Sequence, residues 1–217
     1  MSALANIQRP PGLTEEVYAR LFEQLMTHSI APGTKLSVDA LSRSLNVSQT
    51  PIREALARLE AQGLVTKVHL VGYRVADRIT PDRLEQIYEF RLLTEPHMAA
   101  MAAEKMSDEA RSDLLAQQQH MASDCRFDTP QSYANFSRLD EAFHHAIASG
   151  SGNKVLEAAL SDLHVHVHLF RMSQPPTAVL DAVEEHNRIA QTIAAADPRG
   201  AEASMREHIV NSKRRFG

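Results

Sequence analysis

The run Ser48-Gln49-Thr50-Pro51-Ile52-Arg53-Glu54-Ala55-Leu56-Ala57-Arg58-Leu59-Glu60-Ala61-Gln62-Gly63-Leu64 decides how the rest of the chain is read. Ser48 stands where a helix wants an N-cap, Thr50 can support the first turn, and Pro51 sits where a missing N–H does no harm. Ile52, Ala55, Leu56 and Leu59 recur at helical spacing and make one apolar stripe. Gln49, Thr50, Arg53 and Arg58 lie off that stripe, and Gly63 predicts the helix end. A helix that buries one side and offers amide, hydroxyl and guanidinium groups at its N-terminus can meet phosphates and base edges. The same pattern also describes an ordinary amphipathic helix with a solvated face, so the flanking sequence has to decide.

Upstream, Thr14 to His28 is amphipathic, with Val17, Leu21, Leu25 and Met26 on one side, Tyr18 and Phe22 flanking them, and Glu15 and Glu16 in the first turn. Ala31-Pro32-Gly33 signals a turn. Leu36 to Leu45 reads as a short helix capped by Ser37, with Leu41 and Leu45 facing inward, and Asn46-Val47 turns tightly into the helix at Ser48. Two short helices joined in this way predict a helix-turn-helix, whose second member enters the major groove. Leu64 to Lys67 and Tyr73 to Val75 read as two strands around His69-Leu70-Val71-Gly72, a hairpin that would form a wing.

These residues carry a resemblance. Pro32-Gly33-Thr34-Lys35-Leu36, Leu41 to Leu45, Val47 to Leu56, Leu59-Glu60, Gly63-Leu64-Val65 and Gly72-Tyr73-Arg74-Val75 together resemble the winged-helix domain of GntR-family transcriptional regulators, over about residues 14 to 76. The resemblance implies that DNA is contacted by the nose of the recognition helix, the arginine after it and the wing tip: Ser48, Gln49, Thr50, Arg53 and Gly72. Arg43 and Arg58 are weaker candidates for phosphate contacts. Many relatives carry arginine where this chain has Gln49. Glutamine suits adenine and arginine guanine, so no relative's operator can be borrowed.

Composition fits two jobs on two domains. At 217 residues, with 43% hydrophobic and 23% charged residues, the chain can bury one large or two modest cores. Of the 23 Lys+Arg and 27 Asp+Glu, 9 and 7 lie through Arg78, so the front carries +2 and the remainder −6 of the net −4. A basic excess in front suits nucleic acid. Nine of the 11 histidines follow Arg78. The single cysteine, Cys125, excludes an internal disulfide and sits in an expected loop. No apolar run approaches the roughly 20 residues of a membrane span, and no leader pattern opens the chain, so a cytoplasmic location is expected.

The expected organisation is mainly α. Residues 1–76 form a winged helix-turn-helix domain, 77–80 a linker, and 81–217 an all-α bundle of about six helices. Thr80-Pro81-Asp82 opens the bundle with an N-cap, a first-position proline and a first-turn acid. Helices are expected over Pro81–Met106, with a kink at Pro96, and over Asp108–Ser123, Gln131–Ser149, Lys154–Met172, Thr177–Ala196 and Arg199–Arg215. Asp140 and His144 are four apart and share a helix face, while His186 and His208 stand on the last two helices. One carboxylate and three imidazoles would suit a divalent transition metal. Spacing alone does not separate such a site from core histidines held by hydrogen bonds.

Here too a resemblance adds to the residues. Arg91 with Glu95-Pro96, Asp140-Glu141-Ala142-Phe143-His144, Ser151-Gly152-Asn153, Glu185-His186 and His208 resemble the FCD-type effector domain of the FadR subfamily. This implies metal ligands at Asp140, His144, His186 and His208, with zinc first and nickel or manganese as alternatives. With three neutral imidazoles and one carboxylate, a divalent ion keeps net +1, and a small carboxylate or hydroxy acid could replace its waters. Arg91 offers a bidentate guanidinium to such an acid, although an ion pair with Glu95 is its other reading. His164 and His168, four apart, and Arg171 are further candidates for the effector cavity. The function expected is a homodimeric DNA-binding regulator, a repressor relieved by a small organic acid, with double-stranded operator DNA as partner and no membrane. The competing reading is a metal-dependent hydrolase or lyase fused to a DNA-binding domain. It lacks a placed general base, because Glu185 and Glu207 each precede a ligand histidine and point about 100° away. A purely structural metal is the third reading.

Overall fold

The computed structural model describes residues 12–69, 72–124, 130–165 and 176–216. The chain divides into two compact units, Met1–Asp77 and Arg78–Gly217.

In the first unit α1 spans Leu13–Met26, β1 Lys35–Leu36, α2 Val38–Leu45, α3 Gln49–Ala61, β2 Val65–Val68 and β3 Gly72–Val75. Helix α3 forms because its apolar positions fall on one stripe: Ile52, Ala55, Leu56 and Leu59 are all fully buried. They lie on the helix that packs against α1, whose Val17, Leu21, Phe22 and Leu25 are buried as well. Burying a leucine such as Leu56 contributes about 1.5–3 kcal/mol. Gly63, at φ 68°, ends α3 in a Schellman motif, with Leu64 N donating to Leu59 O at 2.9 Å and Gly63 N to Glu60 O at 2.9 Å. Asn46 takes the left-handed conformation between α2 and α3 (φ 53°, ψ 44°), and Ser42 Oγ donates to Val47 O at 2.5 Å across the turn.

Two details differ from the sequence reading. The second helix starts at Val38 rather than Leu36, because Leu36 belongs to β1, which pairs with β3 in a sheet ordered β1-β3-β2. A two-residue strand is too short to show an alternating pattern. Ser37 does cap α2, its Oγ accepting from Ala40 N at 3.3 Å. Ser48 occupies the N-cap position of α3 with extended backbone, but its side chain makes no capping hydrogen bond, and the residue is exposed.

The second unit holds α4 (Pro81–Lys105), α5 (Asp108–Asp124), α6 (Pro130–Gly150), α7 (Lys154–Asp162), α8 (Pro176–Ala194) and α9 (Pro198–Phe216). Thr80 caps α4 by accepting from Arg83 N at 3.3 Å, and the helix runs on through Pro96. Helix α4 packs on α9 and α6, and α5 on α8. Their shared core includes Tyr88, Met98, Phe143, Ile147, Ile189, Met205 and Ile209. The single helix expected over Lys154–Met172 stops at Asp162. Leu163 and His164 close short turns onto Leu160 O and Ser161 O, and His164 has φ 43°. No glycine or proline marks this break, so the sequence concealed it. None of the helices among the described residues is long and apolar enough to cross a membrane.

Candidate metal centre and nucleic-acid interface

Helices α6, α8 and α9 each turn one histidine into the bundle. His144, His186 and His208 are buried, and one ring nitrogen of each lies within 4.8 Å of the others. Asp140, one turn before His144, places Oδ1 3.4 Å from His186 Nε2. The three histidines thus form the tight group, and Asp140 joins through His186.

Carboxylates that the sequence reading gave other parts orient two of these rings. His144 Nδ1 lies 2.5 Å from Glu95 Oε2, and His208 Nδ1 lies 2.7 Å from Glu185 Oε2. A carboxylate on Nδ1 fixes the tautomer and turns Nε2 toward the centre. Glu185, expected to point away from the site because it precedes His186, reaches across to α9. It also accepts from Asn211 Nδ2 at 2.9 Å and from Arg215 Nη1 and Nη2 at 2.8 and 2.7 Å. The third ring, His186, stacks on Phe143 with centroids 4.6 Å apart.

Electrostatics suit a cation. Burial alone would raise the Glu95 carboxyl, but Arg91 and His144 outweigh it and hold the group well below the usual carboxylate range. Burial would likewise raise Glu185, yet hydrogen bonds from Arg215 and His208 bring it down to about 2. Burial depresses His208, Glu185 only partly opposes this, and Arg91 adds to the depression. The depression favours the neutral imidazole, the form that binds metal. Three carboxylate- or aromatic-supported imidazoles beside one further carboxylate are a donor set that fits a divalent transition metal.

Arg91 is buried on α4, its Nε donating to Glu95 Oε1 at 2.5 Å. The ion pair with Glu95, given above as the alternative to an effector role, is present in the interior of the bundle. Its Nη2 has no hydrogen-bond partner among the described residues. A cavity of about 270 Å³ borders the centre, lined by Arg138, Glu141, His144, His145, Ser161 and His164 among others. Arg138 was missed by sequence reading, since a lone arginine two residues before Asp140 and six before His144 carries no motif. His164 lines this cavity, but the break at Asp162 removes the reason for placing His164 and His168 on one helix face. His168 and Arg171, with Cys125, lie outside the described residues.

In the first unit, Ser48, Gln49, Thr50 and Arg53 are exposed at the start of α3, and Arg43 is exposed on α2. Arg58 is engaged elsewhere, paired with Glu15 at 2.6 Å and stacked 4.0 Å over the Tyr18 ring. Gly72 has φ 102°, a backbone conformation that favours glycine, although a Cβ there would make only ordinary contact with Leu36 O at 3.6 Å.

Comparison with known proteins agrees with both halves. Residues 13–75 match the model of bacterial regulatory proteins, gntR family, and residues 86–211 match the FCD domain. The HTH-type transcriptional regulator YcbG of Bacillus subtilis is 30% identical over 91% of this chain and 87% of its own. LutR of the same organism is 30% identical over 84% and 91%, and the repressor GlaR of Escherichia coli 26% over 89% and 90%. E. coli McbR/YncC shares the fold, with a TM-score of 0.67 at 21% identity over 93% of this chain and 95% of that one. Domains and relatives alike are those of transcriptional regulators, not enzymes. With a gntR-type winged helix-turn-helix in front and an FCD domain over most of the remainder, the chain belongs to the GntR family of DNA-binding transcriptional regulators, in its FadR-like branch.

Proposed function

We propose that this regulator is a homodimeric repressor whose hold on a two-fold operator is released by a small carboxylate or hydroxy acid bound at a divalent metal in the FCD domain. Asp140, His144, His186 and His208 would hold the ion, zinc before nickel or manganese. The ion would supply a Lewis-acidic anchor for the acid's oxygens. The observation that carries the reading is the carboxylate-oriented histidine cluster with His144 in the wall of the adjoining cavity. Arg138 on that wall offers a guanidinium to a carboxylate, His164 a ring nitrogen, and Arg91 a positive potential from behind the cluster. His168 and Arg171 remain candidates on sequence alone.

In front, Ser48, Gln49, Thr50 and Arg53 would meet base edges and phosphates, with Arg43 and the wing at Gly72 on the backbone. One short recognition helix reads too few base pairs alone, which supports a dimer on paired half-sites. The repressor names of GlaR and NanR support that sign of action. The test is a thermal-shift screen of small carboxylates on metal-loaded and chelated protein, paired with elemental analysis of the parent and His186→Ala. Stabilisation by an acid only in the loaded parent, and loss of stoichiometric metal in the variant, are expected. Metal kept by His186→Ala at parent affinity would defeat the ligand assignment.

A further inference from the structure

The exposed face shared by α2 and the start of α3 carries a chain of three side chains. Gln49 Nε2 donates to Asp39 Oδ1 at 2.6 Å, and Arg53 Nη2 donates to Gln49 Oε1 at 3.1 Å. Gln49 and Arg53 are one turn apart on α3, and the left-handed Asn46 brings the first turn of α2 across to them. The contact is therefore a product of the helix-turn-helix geometry, not of local sequence.

Its chemistry has a fixed direction. A free glutamine amide can present either its oxygen or its nitrogen to a base. Asp39 can only accept, so it selects the nitrogen; the oxygen then faces Arg53, which can only donate. One Arg53 nitrogen is thereby anchored, and the remaining guanidinium donors stay available for a pair of acceptors such as guanine O6 and N7. Gln49 has spent a donor and a lone pair inside the protein, so it serves Arg53 before it serves adenine. A carboxylate on a surface that meets phosphates is otherwise unfavourable.

We propose that Asp39 is a specificity-determining residue that positions Gln49 and Arg53, so that this regulator reads guanine through Arg53. The inference rests on the proposed recognition role of the α3 nose. A plain first-turn acid on α2 would affect helix stability alone.

The experiment is selection from a randomised duplex library with the full chain, followed by titration of the selected duplex and its single-base variants at one salt concentration. Parent, Arg53→Ala, Gln49→Ala, Asp39→Ala and Asp39→Asn are compared, with thermal melts to confirm folding. The parent should select guanine at one position of each half-site, and Arg53→Ala should lose that preference. Asp39→Ala should blur the same position by about tenfold while binding random duplex as well or better. Asp39→Asn keeps a carbonyl that can accept from Gln49 Nε2 but adds an N–H that can donate, so Arg53 alone sets the amide's direction and this variant should fall between the parent and Asp39→Ala. Parent-like discrimination in Asp39→Ala, or identical behaviour of the Asn and Ala variants, would overturn the role of Asp39 while leaving the recognition helix in place. A selected pattern unchanged in both Arg53→Ala and Gln49→Ala would remove the recognition-helix reading itself.

Discussion

Glu95 carries two loads at once, and one substitution separates them. Its Oε1 meets the Arg91 guanidinium at 2.5 Å and its Oε2 meets His144 Nδ1 at 2.5 Å, with Arg91 and Glu95 only 1% and 2% exposed. Glu95→Gln keeps the volume and one acceptor but strands the Arg91 cation in the interior. Removing one partner of a buried ion pair costs about 3–5 kcal/mol, and the retained acceptor favours the lower end. For a domain of this size each kcal/mol moves Tm by about 2–4 °C, so metal-free Glu95→Gln should unfold about 6–12 °C below the parent by scanning calorimetry. Adding Arg91→Met removes the stranded charge and should restore most of that loss. Metal affinity should follow a different course. In Glu95→Gln the amide oxygen serves Arg91 and its N–H faces His144 Nδ1, while in the double variant the oxygen accepts from Nδ1 without a carboxylate's charge, so affinity should fall about 10–100-fold in both. Competition against a chromophoric chelator measures this. Unfolding of Glu95→Gln within about 2 °C of the parent would refute the stranded-charge reasoning, and unchanged metal affinity would refute the orienting role.

Leu59→Ala, at a fully buried position of α3, should destabilise the front unit by about 2–5 kcal/mol and abolish operator binding while leaving metal content untouched, as denaturation and elemental analysis would show. Gly63→Ala places a Cβ in the left-handed region and should lower stability by about 1–2 kcal/mol in urea titration. Glu185→Gln weakens what Arg215, Asn211 and His208 hold, so metal affinity should drop about 10–100-fold by chelator competition. Chelation should lower the melting temperature reversibly. Free ion restored to 100 times its Kd should return about 2.7 kcal/mol, seen as a concentration-dependent Tm.

Much of this was legible because it is local. The stripe Ile52, Ala55, Leu56 and Leu59 follows from helical periodicity, and those four residues are buried together. The pairing of Asp140 with His144 is likewise a one-turn relation. Convergence of His144, His186 and His208 from three helices is not written in any spacing, and there the family resemblance did what periodicity could not. The orienting carboxylates escaped for a related reason. Glu185 looked misdirected because its own helix was considered alone, whereas its partner His208 stands on α9. Glu95 was seen only as the partner of Arg91 on α4, though its second oxygen belongs to α6. The break at His164 had no glycine or proline to announce it, and β1 was too short to show a pattern.

The same cross-helix carboxylates give an effector something to act upon. A tenfold change in DNA affinity needs only about 1.4 kcal/mol of difference between two arrangements of the protein. Hydrogen bonds to charged groups contribute about 1.5–3 kcal/mol each. Glu185 alone gathers His208, Asn211 and both Nη atoms of Arg215, so it ties a histidine of the cluster to the last turn of α9. Lys213, in that same turn, pairs with Glu85 at the start of α4. On the proposed reading, an acid held at an ion on this cluster that tilted His208 would shift bonds on both sides of Glu185 together. Loss or gain of a single one of them in only one arrangement would be enough for the release proposed above. Arg215→Ala separates this route from plain metal binding: it should preserve metal stoichiometry while reducing the effector's influence on operator affinity.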